Sequence, residues 1–490
     1  MKAGWAPPTP SDATQLPSAP FAARRRAALA SEFPGKRLVI PAGQFKVRSN
    51  DTDYRYRPHA AFTHLTGLGA GEHPDAALVL HPGADGSRAV LYLPADAGKD
   101  SDKFFRDSRN GEFWVGRRPT LADEAIRTGI ETKPLDQLRA DLIAGLGQLG
   151  EKVYGDDGLE HMDALVVPDA DPAISQMVAD ARAAAGLSEP GASGNAKLAT
   201  KVSELRLIKD EHEIAEMRAA VAATMAGFNE IVKALPAALA HPKGERLIET
   251  IFDAHARLTG NSVGYETISA SGAHATILHW IDSTGPVRPG DLLLVDAGVE
   301  VDSLYTADIT RTLPVSGTFT PVQRQVYQAV YDAAQAAFAA ARPGAKFRDV
   351  HDAAMKVIAS RLFDWGLLPK GISVKAALRT KGQQHRRWMV HGTSHHLGLD
   401  VHDCAQARTD RYTDGELEPG MVITIEPGLY FQPDDLLVPE QYRGIGVRIE
   451  DDILITADGA ENLSAALPAA PDQVEAWLAE LLGSHSSAAA

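Results

Sequence analysis

Two stretches of this chain carry the same pattern a fixed distance apart, and that pairing restricts the possible folds more than any other feature. Pro289-Gly290 leads into an apolar run that ends in Asp296-Ala-Gly298. Pro419-Gly420 leads into a second apolar run that ends in Glu426-Pro-Gly428, 130 residues further on at every matched position and without a gap. Each copy reads as a Pro-Gly turn, a strand, then an acid followed by Gly. The pattern implies a duplicated domain with an internal pseudo-twofold repeat, each half presenting a strand that ends in a carboxylate. Asp296 and Glu426 are thereby expected to converge.

The first copy continues into the stretch Gly290 to Leu313, which reads as a β-hairpin. A turn centred near Asp302 and Ser303 would set Asp296 and Asp308 opposite each other on one face. Two buried carboxylates side by side repel, so the pair requires a shared proton, a cation or a metal. Taken alone, the stretch is equally compatible with two aspartates capping surface turns. Three further stretches bear on the choice. In IGVRIEDDILIT, 445 to 456, alternation sends Arg448 and Glu450 to one side of a strand. HGTSHHLGLDVHD, 391 to 403, has four histidines within the twelve residues from His391 to His402. Its Gly, Thr and Ser disfavour a helix, so His391 and His395 share a face if it is extended. TILHW places His279 on a strand upstream of the two aspartates.

The acids Asp296, Asp308, Glu426 and Glu450 with one imidazole form an oxygen-rich donor set. Four negative charges and a bridging hydroxide roughly balance two divalent cations, and the lack of a thiolate, with only one imidazole, favours manganese ahead of zinc. Two such ions about 3.5 to 4 Å apart could share a hydroxide and polarise a carbonyl, as amide hydrolysis requires.

The rest of the chain supplies a frame. At 490 residues it exceeds a single core, so two or more domains are expected. Its 44% apolar and 23% charged residues describe an ordinary globular protein, and a net charge of −15 argues against a nucleic-acid binder. No run is long enough to span a membrane, and the N-terminus lacks the apolar core of a signal peptide. The single cysteine, Cys404, rules out intramolecular disulfides and fits a reducing cytoplasm. Residues 1–20 and the tail 483–490 read as disordered, 21–195 as an α/β domain and 196–482 as an α+β domain. Residues 188–197, SEPGASGNAK, have the composition of a linker. GLGQLG, 145 to 150, matches a dinucleotide fingerprint, but it follows a helix and precedes a strand, the reverse of the order phosphate binding needs. Helices are expected over Val202 to Leu235 with a break, Glu245 to Leu258 and Phe347 to Trp365. Another opens at Thr320 with Pro321 and Gln323 as a capping set. The basic stretch Lys375 to Arg387 reads as a solvated loop.

The residues just quoted resemble the pita-bread metallopeptidases, and most closely the aminopeptidase P family. ILHW, DAG, DITRT, HGTSHHLGLDVHD, TIEPGLY and GIGVRIEDD run in the family's order through most of residues 200 to 465. The resemblance implies that Asp296, Asp308, His395, Glu426 and Glu450 hold two metal ions, commonly manganese. It implies that His279, His391, His402 and Arg448 contact substrate or stabilise charge, that Tyr430 supports them, and that Glu426 also carries the catalytic proton. RSNDTDYRYR and EFWVGRR resemble segments in which the family reaches a neighbouring subunit's site, here with Asp51 and Trp114. That implies a homotetramer or homodimer. The Asp296 to Asp308 spacing is one residue longer than in the better-known bacterial members, and the basic region 370 to 387 is this chain's own.

The implied reaction removes the N-terminal residue from peptides with proline second, by attack of a metal-bridging hydroxide. The nearest alternative is a prolidase, restricted to dipeptides. Methionine aminopeptidase fits the large N-terminal domain and Arg448 poorly. A catalytically silent binding module of the same fold would be expected to have lost ligands. A serine hydrolase fails because Ser394 lacks the flanking glycines of G-x-S-x-G, and a Cys404 nucleophile beside His402 has no support beyond proximity in sequence.

Overall fold

The computed structural model describes residues 4–6, 11–83, 86–95, 97–147, 149–155, 158–187 and 193–488. They form two compact units, Met1–Arg206 and Leu207–Ala490. In the first, strands at Lys36–Pro41, Ala77–Gly83 and Gly86–Leu93 follow the apolar runs of the sequence. With Glu131–Pro134 and Asp163–Val166 they make a five-stranded mixed sheet, covered by Ala19–Ser31 and Pro172–Ala184 among other helices. The turn at Gly145 and Gly147 joins a helix, Leu138–Ile143, to a strand, Leu149–Gly155. That is not a phosphate-binding order; Gln148 within GLGQLG lies outside the described residues.

Three expectations, at the two ends of the chain and at the linker, need correction. Within 1–20, Trp5 packs edge-on against Phe104, and the Leu16 N–H donates to the Arg127 carbonyl at 2.8 Å, so apolar and backbone contacts order part of the segment. Of the expected linker, 188–192 lie outside the described residues, while Ser193–Leu205 is helical. The Asn195 side chain there accepts from the Val166 N–H at 3.0 Å, which ties the helix to the sheet edge. At the other end of the chain, the final helix, Pro471–Ala488, runs on into the tail that reads as disordered from 483. Gly483 interrupts this helix, and one Gly costs about 1 kcal/mol, too little to end a helix by itself.

The second unit is built twice over. Its first half comprises α1 (Glu211–Ala240), α2 (Gly244–Thr259) and the antiparallel sheet of β1 (Ile268–Ser271), β2 (Leu292–Ala297) and β3 (Ile309–Pro314). Its second half has α3 (Pro321–Ala340), α4 (Phe347–Asp364), β4 (Val422–Ile425), β5 (Gly428–Tyr430), β6 (Gly446–Arg448), β7 (Asp451–Thr456) and β8 (Gly459–Asn462). β4, β7 and β8 form one sheet, and β5 pairs with β6. α5 (Pro471–Ala488) closes the chain. The expected capping set is present: the Thr320 side chain accepts from the Gln323 N–H, and Gln323 returns a bond to the Thr320 backbone. The break in the helix expected from Val202 falls at 206–210, where Asp210 caps α1. Around the basic stretch the chain makes two short helical turns, Val374–Ala377 and Gln384–Arg387, because Ser373 caps the first; its Lys and Arg side chains remain exposed. No helix among the described residues is long and apolar enough to cross a membrane.

The repeat is visible in the backbone. Gly290 and Gly420 both take positive φ, 89° and 92°, in matching Pro-Gly turns. The Asp291 and Met421 N–H groups each close the turn at 3.1 Å, onto the Arg288 and Glu418 carbonyls. β2 then runs between two strands, β1 and β3, while β4 has β7 on one side and, on the other, an isolated antiparallel bridge from Ile423 to His396. The hairpin of the first half differs from expectation in register. Asp296 faces Thr310, so Asp308 lies diagonally across from it. The turn contains Leu304 at φ 72°, and the Val301 N–H reaches the Tyr305 carbonyl at 3.0 Å. This three-residue loop ending in a left-handed residue moves the turn centre to Ser303. Shifting the pairing by two residues keeps both aspartates on one face, because side chains alternate with period two.

Candidate functional site

β2 and β3 carry Asp296 and Asp308 to one end of the first half, and the chain after β4 and β6 carries Glu426 and Glu450 to meet them. The extended stretch 393–397 runs along β4, where the Thr424 N–H donates to the His395 carbonyl at 2.9 Å and the Glu426 N–H to the Thr393 carbonyl at 2.8 Å. His395 is thus set beside Glu426. The two halves are stitched at Glu450, whose N–H donates to the Thr310 carbonyl at 3.1 Å. Arg311, fully buried, donates to the Glu450 carbonyl at 2.7 Å and to the Asp451 carboxylate at 2.7 Å. An Asp452 carboxylate oxygen accepts from the Asp308 N–H at 3.1 Å.

The side chains converge on a cavity of about 510 Å³. It is lined by all four acids, by His279, His391, His395, His402 and Arg448, and by an apolar wall that includes Ile268, Leu278, Ile281 and Val401. Asp308, His395 and Glu450 offer ligand atoms within 4.8 Å of one another. His395 Nε2 stands 3.2 Å from Asp308 Oδ2 and 3.7 Å from Glu426 Oε1. Glu450 Oε2 accepts from the Thr310 hydroxyl at 2.7 Å. Arg448 donates to Asp296 Oδ2, to the Thr310 hydroxyl at 3.1 Å and to the Tyr430 hydroxyl at 3.3 Å. His391 Nε2 lies 2.8 Å from the same Tyr430 hydroxyl.

Burial sets the electrostatics. It pushes the Asp296 carboxyl up, against the pull of Arg448, and drives Glu450 well above the carboxylate range together with the nearby acids. Glu426 is pushed up to about 7 by burial, with His395 opposing. Burial lowers His395, but the Asp308 and Glu426 carboxylates outweigh it and raise the ring to about 9. His391, buried and beside Arg448, is held down at about 3 and is neutral. His402 is lowered by burial and by His395.

This donor set suits divalent cations. Four carboxylates face two cationic partners, Arg448 and His395, which leaves negative charge uncompensated in a buried site. The Tyr265 hydroxyl gives the same indication. It lies 2.6 Å from Asp296 Oδ1 and 2.5 Å from Asp308 Oδ1, yet a phenol has one hydrogen to give. The two carboxylates therefore need a further proton or a cation between them.

The structure brings together ten of the residues expected from sequence: Asp296, Asp308, His279, His391, His395, His402, Glu426, Tyr430, Arg448 and Glu450. Two corrections of local structure apply. His279 sits in a turn after a 3-10 helix, Gly272–Thr276, instead of on a strand, because Gly272 at φ 58° turns the chain off β1. The Cys404 thiol is buried and does not line the cavity. Asp51 and Trp114 belong to the first unit and are exposed on it. Tyr265 was not singled out from sequence. Its acceptors lie 31 and 43 residues away, and no local pattern announces them.

Comparison with known proteins bears on the same residues. The pattern described as metallopeptidase family M24 matches residues 215–457, and that described as the aminopeptidase P N-terminal domain matches 22–154. The chain is 48% identical over 483 residues to Xaa-Pro aminopeptidase 1 of Streptomyces coelicolor, covering 99% of this chain and 92% of that protein. A proline aminopeptidase P II structure from Yersinia pestis superposes with a TM-score of 0.79 at 32% identity, over 94% of this chain and 99% of that one. A zinc-substituted aminopeptidase P of E. coli in complex with product superposes with a TM-score of 0.79 at 32% identity, over 95% and 99%.

Proposed function

The chain belongs to metallopeptidase family M24, and from that premise we propose that its cavity is the active site of a metal-dependent aminopeptidase releasing the N-terminal residue from peptides with proline second. The observation that carries this reading is the convergence of Asp296, Asp308, His395, Glu426 and Glu450 on one cavity from both halves of the repeat. These five residues are the proposed ligands of two divalent ions, manganese being the first candidate on donor chemistry. When bound, such ions supply Lewis acidity and make a nucleophile from water at neutral pH.

The chain's own side chains account for the remaining steps. Glu426, facing the cavity between His391 and His395, can take a proton from the attacking water and pass it to the leaving proline nitrogen. His279 and His402, both exposed in the cavity wall, can donate to the developing oxyanion. Arg448 holds Asp296 and, with neutral His391, fixes the Tyr430 hydroxyl beside the reacting groups. An Xaa-Pro bond has no amide N–H, so a site that works on the carbonyl side suits it.

Asp51 and Trp114 are proposed to complete a neighbouring subunit's site in a homo-oligomer. The 56% exposure of Trp114, large for an indole, supports that reading, and light scattering should give a dimer or tetramer. The buried Cys404, the only cysteine, is compatible with a cytoplasmic setting. The decisive experiment is to strip metal with a chelator, restore manganese, and compare an Xaa-Pro dipeptide with an Xaa-Pro-Xaa tripeptide. Metal-restored cleavage of the tripeptide is the expected result; cleavage of the dipeptide alone would make the protein a prolidase.

A further inference from the structure

Outside the metal-ligand cluster, one carboxylate has every surrounding bond directed at a single segment. Glu245 stands in the first turn of α2 and is 0% exposed. Its Oε1 accepts from the Ser271 N–H at 2.8 Å and from His274 Nδ1 at 2.7 Å. Its Oε2 accepts from the Trp280 indole at 3.0 Å and from the Gly285 N–H at 2.6 Å. All four donors belong to residues 271–285, the loop that brings Leu278, His279 and Ile281 to the cavity.

The arrangement leaves the loop little freedom. The His274 and Trp280 rings stack at 3.9 Å, so the carboxylate holds both members of the stack as well as both ends of the loop. Gly285 is required for the approach: a Cβ there would stand 2.7 Å from Glu245 Oε2. The next residue, Arg246, donates to the Asp282 carbonyl in the same loop. His279 directly precedes Trp280 and has an exposed ring, so its placement depends on its flanks.

We propose that Glu245 is a positioning residue for the proline-directed cleavage: through Trp280, His274 and the two ends of the loop it fixes His279 against the substrate carbonyl. The proposal rests on the reading of the cavity as a peptidase site and on the role given to His279. A carboxylate is the side chain this place needs. It accepts only, whereas the isosteric amide of Gln would present a donor to one pair of N–H groups and leave that pair unmatched. Misplacement of a group by about 1 Å can cost about a hundredfold in rate.

The test is a double-mutant cycle on the manganese-loaded enzyme with a Leu-Pro-Xaa tripeptide. Glu245→Gln should lower kcat by about tenfold to a hundredfold, with KM changed less than about twofold and metal content unchanged. In a His279→Ala background the same substitution should have almost no further effect on kcat. Losses that multiply in the double variant would overturn the proposal, because Glu245 would then act elsewhere or only on stability. Full activity in His279→Ala alone would instead remove the role given to His279 under the proposed function. If Glu245→Gln does not fold, Trp280→Phe removes one of the four donors and leaves the carboxylate, and its cycle with His279→Ala reads the same coupling.

Discussion

The strand ending at Asp296 and the strand ending at Glu426 are the same object built twice, and they end in different chemistry. Both start from a Pro-Gly turn with a left-handed glycine, and both run antiparallel to partners on two sides. At the tip the likeness stops. Asp296 has Arg448 against one carboxylate oxygen and the Tyr265 hydroxyl against the other. Glu426 has histidines near it, His395 at 3.7 Å and His391 at 3.5 Å. The repeated backbone places two acids face to face, and what surrounds each one divides the labour. The acid held by an arginine is suited to keep its charge, and the one flanked by histidines to move a proton.

The comparison is broken most completely at the seam between the halves. Asp308→Asn or Glu450→Gln should abolish activity, a loss of at least about 10³-fold, and lower bound metal as read by elemental analysis. Two ions per subunit retained in both variants would show that the ligand assignment is wrong. Next in size is the loss of compensation on one side only. Arg448→Met leaves Asp296 buried without its cation, which costs about 3–5 kcal/mol when such a pair is split. Its kcat/KM should fall by about a hundredfold, while Arg448→Lys should retain part of the activity.

The protonation of the cluster gives a third test. In the metal-free protein Glu426 titrates at about 7, Glu450 and Asp296 lie above their ordinary range, and His395 stays protonated up to about 9. Cations must displace those protons, so manganese binding at neutral pH should release protons and weaken steadily as the pH falls. Calorimetry in buffers of different ionisation heat measures the release; a binding heat independent of buffer would contradict it. The smallest effect separates the two turns. Gly290→Ala meets no atom within 4 Å and should cost only the left-handed backbone, about 1 kcal/mol. Gly420→Ala also meets the Lys209 carbonyl at 2.9 Å and Ile208 at 3.0 Å, and should lower Tm by more.

How much of this was legible in the sequence depends on how far each determinant reaches. The Pro-Gly turns, the apolar strands, the capping set at Thr320 and the repeat spacing are local patterns. Local patterns survive folding because φ preference, side-chain alternation and capping act within a few residues. The register of the hairpin was out of reach, since one residue at the turn, Leu304 in a left-handed conformation, moved it. So was the turn at His279. Tyr265 and Glu245 were also illegible as site residues, because their partners lie up to 43 residues away in sequence.

The sequence by itself determined that the chain duplicates a turn-strand-acid unit, that its acids and histidines come in the order of a metallopeptidase, and where the helices at Gly244, Pro321 and Phe347 begin. Only the tertiary structure decided that Asp296 and Asp308 meet diagonally under one tyrosine hydroxyl. It also decided that Arg448 serves one half and His395 the other, and that a buried glutamate grips the loop of His279. Pairings of that kind exist only once burial has removed water as the competing partner, and burial is a property of the assembled halves.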